Sequence, residues 1–268
     1  MTKQYDAAYF ERWYRDPALK DQAIGGSARL ARKVAMAVAT AEYHLERPIR
    51  TVLDIGCGEG AWLAPLRKLR PRVQYLGFDS SEYAIGRYGA RRNLHLARFG
   101  DFEHLRPCPP VDLLVCSDVL HYLDTRELDR GLPALGELCG GVAFLETFTR
   151  EDGIDGDTHG FKRRPARFYR ERLAGVGLVP LGSHLWLSPT LRDGVAALEN
   201  GHRPTSQSTR PDSGGTPKCA QWQTPWSAPS SQMPGRPPVG RFLPPETRPP
   251  APRYRNHPTP ARTYLPTL

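Results

Sequence analysis

Apolar runs alternate with helix-like segments along most of the chain. The runs lie at 52–55, 74–78, 111–115 and 142–145, and residues with high helix propensity lie between them. Such runs are typical of strands buried on both faces, and helices between them favour parallel pairing through right-handed crossovers. The pattern predicts an α/β fold with a doubly wound, mostly parallel, seven-stranded sheet and helices on both faces.

The sheet is predicted to end with two later segments. Residues 178–187 predict strand six, and residues 194–199 predict a seventh strand that returns antiparallel. Residues 149–167, between strands five and six, mix charged residues with glycines, which predicts either a substrate-facing loop or a solvated connection. Near the N-terminus, an Ala-rich helix is predicted from Ser27 to Leu45.

A glycine-rich loop follows the first predicted strand. Its alternating glycines are Gly56, Gly58 and Gly60. Glycine lets the backbone approach a ligand, and the helix predicted from Ala61 to Leu69 would point its N-terminal N–H groups at the same place. Asp54 precedes the first glycine by two residues. An acid there repels a pyrophosphate but suits the ammonium of an amino acid.

The loop resembles motif I of the class I S-adenosylmethionine-dependent methyltransferases, which has the pattern acid–x–Gly–x–Gly–x–Gly. A dinucleotide-binding loop has the spacing G-x-G-x-x-G instead, and Ala61 stands where its third glycine would be. The resemblance implies S-adenosylmethionine as the cofactor, a Rossmann-like core of the small-molecule type and an antiparallel C-terminal hairpin. The alternative is an NAD(P)-dependent oxidoreductase on a similar sheet.

Acidic residues follow three further predicted strands. Asp79 ends the second strand, where its carboxylate can accept hydrogen bonds from both ribose hydroxyls of a nucleoside. The resemblance implies that Asp101 and Phe102, after the third strand, hold the adenine, and residues 111–123 resemble motif IV of the family. The predicted cofactor-binding residues are Asp54, Gly56, Cys57, Gly58, Gly60, Asp79, Ser80, Asp101, Phe102, Ser117 and Asp118.

Two histidines are candidates for a catalytic base, which is required only if the acceptor must lose a proton. His121 comes first, because the exit of strand four faces the pocket in the resembling fold and an imidazole exchanges protons near neutral pH. The alternative is a histidine packed at a helix start. His159, in the polar loop, is the second candidate. Asp118 and Glu146, at the ends of strands four and five, are predicted to orient the acceptor.

The chain divides into three predicted regions. Residues 1–47 form an N-terminal helical cap or lid, and residues 48–199 form the Rossmann-like core. Residues 5–15 hold five aromatic side chains, which either cover the sheet edge or close over cofactor and substrate, with Tyr9 and Trp13 as lid residues. Sixteen of the 27 prolines fall in residues 200–268 without apolar periodicity, which predicts a disordered tail.

The positive charge is concentrated in that tail. The formal net charge is +9, but residues 200–268 hold nine Lys and Arg against two Asp and Glu, which leaves +2 for the rest of the chain. A near-neutral body favours a small-molecule acceptor over nucleic acid. The alternative is a nucleic-acid-binding protein that uses the basic tail as an arm.

The five cysteines form no C-x-x-C pair, and no apolar run reaches the length of about 18 residues that a membrane span requires. These features predict free thiols, no metal site, no membrane partner and a cytoplasmic protein. Cys57 and Cys116 are predicted to be small packing residues, because no histidine or acid is placed in the sequence to activate either thiol.

Overall fold

The computed structural model describes residues 4–16, 19, 27–153 and 156–194. Within these residues, seven strands form one sheet in the order β3-β2-β1-β4-β5-β7-β6. The strands are β1 Thr51–Ile55, β2 Gln74–Asp79, β3 Leu94–Leu96, β4 Val111–Val115, β5 Cys139–Phe144, β6 Val179–Gly182 and β7 Leu185–Leu187. Strands β1 to β5 are parallel, and β7 runs antiparallel to both β5 and β6. The predicted fold class is therefore confirmed.

Six α-helices lie in the described part of the chain. They are α1 Ala7–Phe10, α2 Ser27–Leu45, α3 Leu63–Leu69, α4 Glu82–Arg92, α5 Thr125–Leu138 and α6 Ala166–Gly175. A π-helical turn, Glu11–Arg15, continues α1, and 3₁₀ turns lie at Phe99–Glu103 and Pro189–Gly194. In the described residues, no helix is both long and apolar enough to cross a membrane.

The C-terminal hairpin lies at a different place from the predicted one. The single strand predicted for residues 178–187 is wrong, because Ser183 and His184 take left-handed φ angles of 50° and 66° and reverse the chain. The antiparallel pair is therefore β6 with β7. Gly194 ends a 3₁₀ turn, and the rest of the strand predicted for residues 194–199 lies outside the described residues.

The core has one layer on each face of the sheet, because alternate residues of a strand point to opposite faces. Leu114 of β4 packs on the face covered by α5, whereas Leu113 packs on the face covered by α2. On that second face, Val34 and Val38 of α2 are fully or almost fully buried. Helix α2 lies within the region predicted as a cap, residues 1–47, but it packs on the sheet.

Helix α4 begins at Glu82, directly after a side-chain cap. Ser81 caps it, with its hydroxyl accepting a hydrogen bond from the Ala84 N–H at 3.1 Å. Helix α5 has an equivalent cap, since the Asp124 carboxylate accepts from the Glu127 N–H at 2.7 Å. Helix α3 starts at Leu63, two residues later than predicted, because the glycine loop continues as turns to Trp62.

Candidate active site

A cavity of about 1250 Å³ lies at the carboxyl ends of β1, β2, β4 and β5. This is the edge at which open α/β sheets bind ligands. The predicted site residues that line it are Tyr9, Trp13, Gly56, Cys57, Gly58, Asp79, Ser80, Ser117, Asp118, His121 and Glu146. Those that the structure places outside the lining are Asp54, Gly60, Asp101, Phe102 and His159.

The glycine loop forms the floor of the cavity beside β1. Gly56 and Gly58 take left-handed φ angles of 76° and 54°, which side chains rarely adopt. A Cβ atom on Gly58 would press against the hydroxyl of Tyr14, because the Tyr14 ring lies directly above this glycine. Gly60 instead packs against Leu94, outside the cavity lining.

Asp79 lies in the cavity wall at the end of β2. Its two carboxylate oxygens accept hydrogen bonds from the N–H groups of Gly58 at 2.7 Å and Ser81 at 2.8 Å. Burial raises the pKa of Asp79, and these hydrogen bonds offset only part of that effect. Each oxygen keeps a second lone pair, so the carboxylate can also accept hydrogen bonds from a ligand hydroxyl.

Asp54 is buried beneath the loop. Only 2% of the residue is exposed, and its carboxylate accepts a hydrogen bond from the Tyr75 hydroxyl at 2.6 Å. Burial raises the pKa of Asp54 to about 7, although the Tyr75 hydroxyl lowers it and the charge of Asp79 raises it further. Contact of Asp54 with a cofactor ammonium stays a prediction that this placement does not support.

Asp101 and Phe102 also lie away from the cavity. Phe102 is fully buried in the core against Phe78, and the exposed Asp101 carboxylate accepts from the N–H of Arg98 at 2.8 Å. Phe99, at the start of the same 3₁₀ turn, lines the cavity instead. Both rings belong to the buried core, and of the two only Phe99 also reaches the cavity lining, so the geometry favours Phe99 as the ring that packs against an adenine.

Asp118 and His121 form a pair at the exit of β4. The Nε2 atom of His121 lies 3.1 Å from a carboxylate oxygen of Asp118, and its Nδ1 atom accepts a hydrogen bond from the Phe148 N–H at 3.3 Å. Nε2 therefore carries the proton of the neutral ring and donates it to Asp118. Because both nitrogens are engaged and the residue is 1% exposed, this geometry favours His121 as the residue that holds Asp118 in place.

Glu146, at the end of β5, has two partners in the cavity wall. Its carboxylate accepts from the Lys33 ammonium at 2.5 and 2.7 Å and from the Ser117 hydroxyl at 2.7 Å. Burial opposes ionisation of Glu146, but the Lys33 charge and both hydrogen-bond donors hold its pKa below the usual value. Sequence reasoning missed Lys33, because α2 carries no motif that marks one of its lysines as a site residue.

The N-terminal aromatic segment covers the cavity. The backbone oxygen of Tyr5 accepts from the Ser81 hydroxyl at 2.5 Å, and the guanidinium of Arg15 donates to Glu59 at 2.6 Å and to Tyr88 at 2.9 Å. These contacts tie the segment to the glycine loop and to α4. Tyr14, which the sequence reading did not select, lies in the cavity wall with Tyr9 and Trp13.

The polar loop after β5 forms the opposite wall. The Tyr122 hydroxyl donates to the backbone oxygen of Asp157 at 2.6 Å, and the Lys162 N–H donates to the backbone oxygen of His121 at 2.8 Å. Asp157 and Lys162 line the cavity, whereas the exposed His159 does not. These contacts support the prediction of a substrate-facing loop but not a catalytic role for His159.

Residues 53–140 match a family model described as a methyltransferase domain. This match supports placing residues 53–140 among the methyltransferase domains of the class I S-adenosylmethionine-dependent type. A trans-aconitate 2-methyltransferase of Deinococcus radiodurans is 36% identical over 80 residues, which are 29% of this chain and 30% of that protein. Another, of an Azoarcus strain, is 29% identical over 157 residues, which are 56% of this chain and 58% of that protein. The chain thus spans less than two thirds of either relative.

A solved methyltransferase structure shares the fold. The crystal structure of a magnesium protoporphyrin IX methyltransferase from Synechocystis PCC 6803, with S-adenosylhomocysteine bound, aligns with a TM-score of 0.52. Its sequence identity is 19%, and the alignment covers 69% of this chain and 96% of that chain. At this identity the likeness is one of fold, so the residue roles in this methyltransferase must come from its own geometry.

The site fits the family's cofactor. Gly56, the carboxylate of Asp79 and the ring of Phe99 line one cavity. These groups match the needs of a nucleoside, namely close backbone approach, acceptors for hydroxyl groups and a surface for a ring. Cys57 fits as a small neighbour, since burial raises the pKa of its thiol and keeps it un-ionised.

Asp54 gives this protein a testable pH dependence. Its pKa of about 7 in the folded protein lies above the unfolded value near 4, so the stability it contributes at low pH is lost as the pH rises from about 4 to 7. We therefore compare the unfolding free energy of Asp54→Asn with that of the unaltered protein. The difference should shift in favour of the variant by about 2 kcal/mol when the pH rises from 5 to 8. Urea unfolding of both proteins at the two pH values measures this; an unchanged difference would contradict it.

Proposed function

We propose that this protein transfers the methyl group of S-adenosylmethionine to an oxygen or nitrogen atom of a small-molecule acceptor. The observation that carries the proposal is the single cavity that joins the glycine loop and Asp79 to the carboxylate of Asp118. Its volume of about 1250 Å³ is large compared with that of common ligand sites, so it has room for the cofactor and a small acceptor together.

The cofactor half of the cavity lies over β1 and β2. We infer that Gly56 and Gly58 admit the amino-acid part of the cofactor, that Asp79 accepts hydrogen bonds from the ribose hydroxyls, and that Phe99 packs on the adenine. The cofactor supplies a methyl group on a positively charged sulfur, which an acceptor lone pair displaces in line. The protein's task is mainly to align the two reactants and exclude water, which can lower the barrier by several kcal/mol.

The acceptor half lies over β4 and β5. Asp118 has a carboxylate that is partly exposed, with 25% of its side chain accessible, and His121 holds it from below. We infer that Asp118 takes a proton from the acceptor when one must leave, and that His121 positions it. Tyr9 and Trp13 close this half from the N-terminal side.

One calorimetric experiment tests the proposal against its two rivals. The full chain is titrated with S-adenosylmethionine, S-adenosylhomocysteine, NAD and a mixed oligonucleotide. We expect both sulfur nucleosides to bind one to one, NAD not to bind, and any oligonucleotide binding to weaken steeply with salt because it comes from the basic tail. Binding of NAD without binding of S-adenosylhomocysteine would support the oxidoreductase and reject the proposal.

A further inference from the structure

We propose that the acceptor is a small amine, bound between the carboxylates of Asp118 and Asp157 and the rings of Tyr9 and Tyr122. This assignment names the substrate class for the methyl transfer proposed above and therefore rests on it. It concerns the acceptor half of the cavity, where the exit of β4 faces the polar loop after β5.

The cavity wall carries an excess of negative charge. Among the residues that the structure describes, eight acidic residues line it, against four basic residues, which are Arg29, Lys33, Arg98 and Lys162. The charge of Lys33 is neutralised by Glu146, because the Lys33 ammonium contacts both carboxylate oxygens of that residue. The cofactor at neutral pH carries one net positive charge, which is smaller than the excess of acidic over basic side chains in this described lining. A second cation in the same cavity would therefore still meet a negative field.

Two of these acids lie on the acceptor side. Asp79, which faces the ribose, ends β2, whereas Asp118 follows β4, two strands further along the sheet and thus roughly 10 Å away. Asp157 approaches from the loop after β5, where its backbone oxygen accepts from the Tyr122 hydroxyl at 2.6 Å. Burial raises the pKa of Tyr122, and the charges of Asp118 and Asp157 raise it further, so both carboxylates act on the same ring.

The aromatic side chains suit the same ligand. Tyr9 and Tyr122 line the cavity next to these acids. Burial raises the pKa of Tyr9, and the neighbouring groups, which are Tyr14, Tyr5, Tyr122 and Asp157, raise it further. The faces of aromatic rings attract cations, and nearby carboxylates strengthen that attraction in an enclosed site. A ring-and-carboxylate site of this kind recognises an ammonium group better than a neutral hydroxyl or an anion.

The charge change of the reaction agrees with this assignment. The bound ammonium first gives its proton to Asp118, which passes it to water, and the freed nitrogen lone pair then forms the new N–C bond. The C–S bond breaks with its electron pair remaining on sulfur, so the positive charge moves from sulfur to nitrogen. Fixed carboxylates stabilise that charge as it develops on nitrogen. The names of the two relatives give trans-aconitate, a carboxylate, as the acceptor of those proteins. In this chain, Asp118 and Asp157 would repel a carboxylate acceptor.

Binding measurements with matched probes test the assignment apart from catalysis. The full chain, saturated with S-adenosylhomocysteine, is titrated with 2-phenylethylamine, 2-phenylethanol and 3-phenylpropionate, which differ only in the head group, and with trans-aconitate. We expect the amine to bind at least about tenfold more tightly than the alcohol, and neither anion to bind. In Asp157→Asn, which keeps the side-chain shape, amine affinity should fall about tenfold while the affinities for the alcohol and S-adenosylhomocysteine stay the same.

The matched control is Asp129→Asn, which removes an exposed acid on α5 that pairs with Arg172 at 2.8 Å. It should leave all four affinities unchanged. The assignment is overturned if either anion binds more tightly than the amine. It is also overturned if Asp157→Asn and Asp129→Asn lose amine affinity equally. Failure of S-adenosylhomocysteine to bind would reject the proposed function itself, which separates the two failures.

A second measurement covers acceptors unlike these probes. The protein is incubated with methyl-labelled S-adenosylmethionine and an equimolar pool of small amines, alcohols and carboxylic acids, and labelled products are identified by mass spectrometry. Labelled amines that form more slowly with Asp157→Asn support the assignment. Labelled esters or ethers without labelled amines overturn it, as does a pool in which no amine is labelled.

Discussion

Asp79→Ala is expected to weaken S-adenosylhomocysteine binding by about 2–4 kcal/mol, which is roughly thirtyfold to a thousandfold. The carboxylate lies in the cavity wall with a lone pair on each oxygen available to a ligand. Its removal deletes a charged acceptor for two hydroxyl groups and also releases the N–H groups of Gly58 and Ser81. Calorimetric titration of the variant and the unaltered protein gives the difference directly.

Two further variants separate these contributions. Asp79→Asn keeps the size of the side chain and one acceptor oxygen, so it should retain more affinity than Asp79→Ala. Asp101→Ala removes an exposed carboxylate that the structure places outside the cavity, and it should change affinity little. Unchanged binding in Asp79→Ala would reject the ribose assignment, and a large loss in Asp101→Ala would restore the adenine contact predicted from the family pattern.

Gly58→Val is expected to abolish cofactor binding while the far-UV circular dichroism stays the same. The residue has a φ of 54°, which a β-branched side chain does not tolerate, and a Cβ atom would press into the Tyr14 hydroxyl. The backbone strain and the blocked approach together should cost more than about 3 kcal/mol of binding free energy. Titration with S-adenosylhomocysteine measures the loss.

The control for this substitution is Gly86→Val, on the exposed face of α4, where an added Cβ atom meets no neighbour. It should bind normally. The pair Gly58→Ala and Gly58→Ala with Tyr14→Phe then tests whether the contact with Tyr14 is the whole cause. We expect no recovery in the double variant, because the left-handed backbone and the cofactor both exclude a side chain. Normal binding in Gly58→Val would mean that the loop is only a connection between β1 and α3.

Much of the fold follows from local rules that the sequence carries by itself. Strands β1, β2 and β4 are short and apolar because both faces of the sheet are covered, and this composition is visible without coordinates. The spacing of Gly56 and Gly58 and the position of Asp79 at a strand end are likewise local features. Parallel strands bring their carboxyl ends to one edge, so the sequence could predict that these residues meet in one cavity.

Other features depend on contacts between distant parts of the chain. The sequence analysis placed the final hairpin too late. It took residues 178–187 as one strand, because serine and histidine at 183 and 184 do not by themselves indicate the left-handed backbone that turns the chain there. The sequence analysis also selected Asp101 and Phe102, whereas in the 3₁₀ turn that follows β3 it is Phe99 that reaches the cavity lining, and Phe102 lies wholly in the core. The direction of a side chain in such a turn depends on what packs against it.

The sequence by itself determined the fold class, the resemblance to the class I methyltransferases and the edge of the sheet at which the candidate site lies. Only the tertiary structure decided that the ring of His121 is held between Asp118 and the Phe148 N–H. It also brought Lys33 to Glu146, which is 113 residues away along the chain. The physical reason is that a hydrogen-bond partner from another element can determine which nitrogen holds a proton and which charge is neutralised, and no local pattern of residues records that partner.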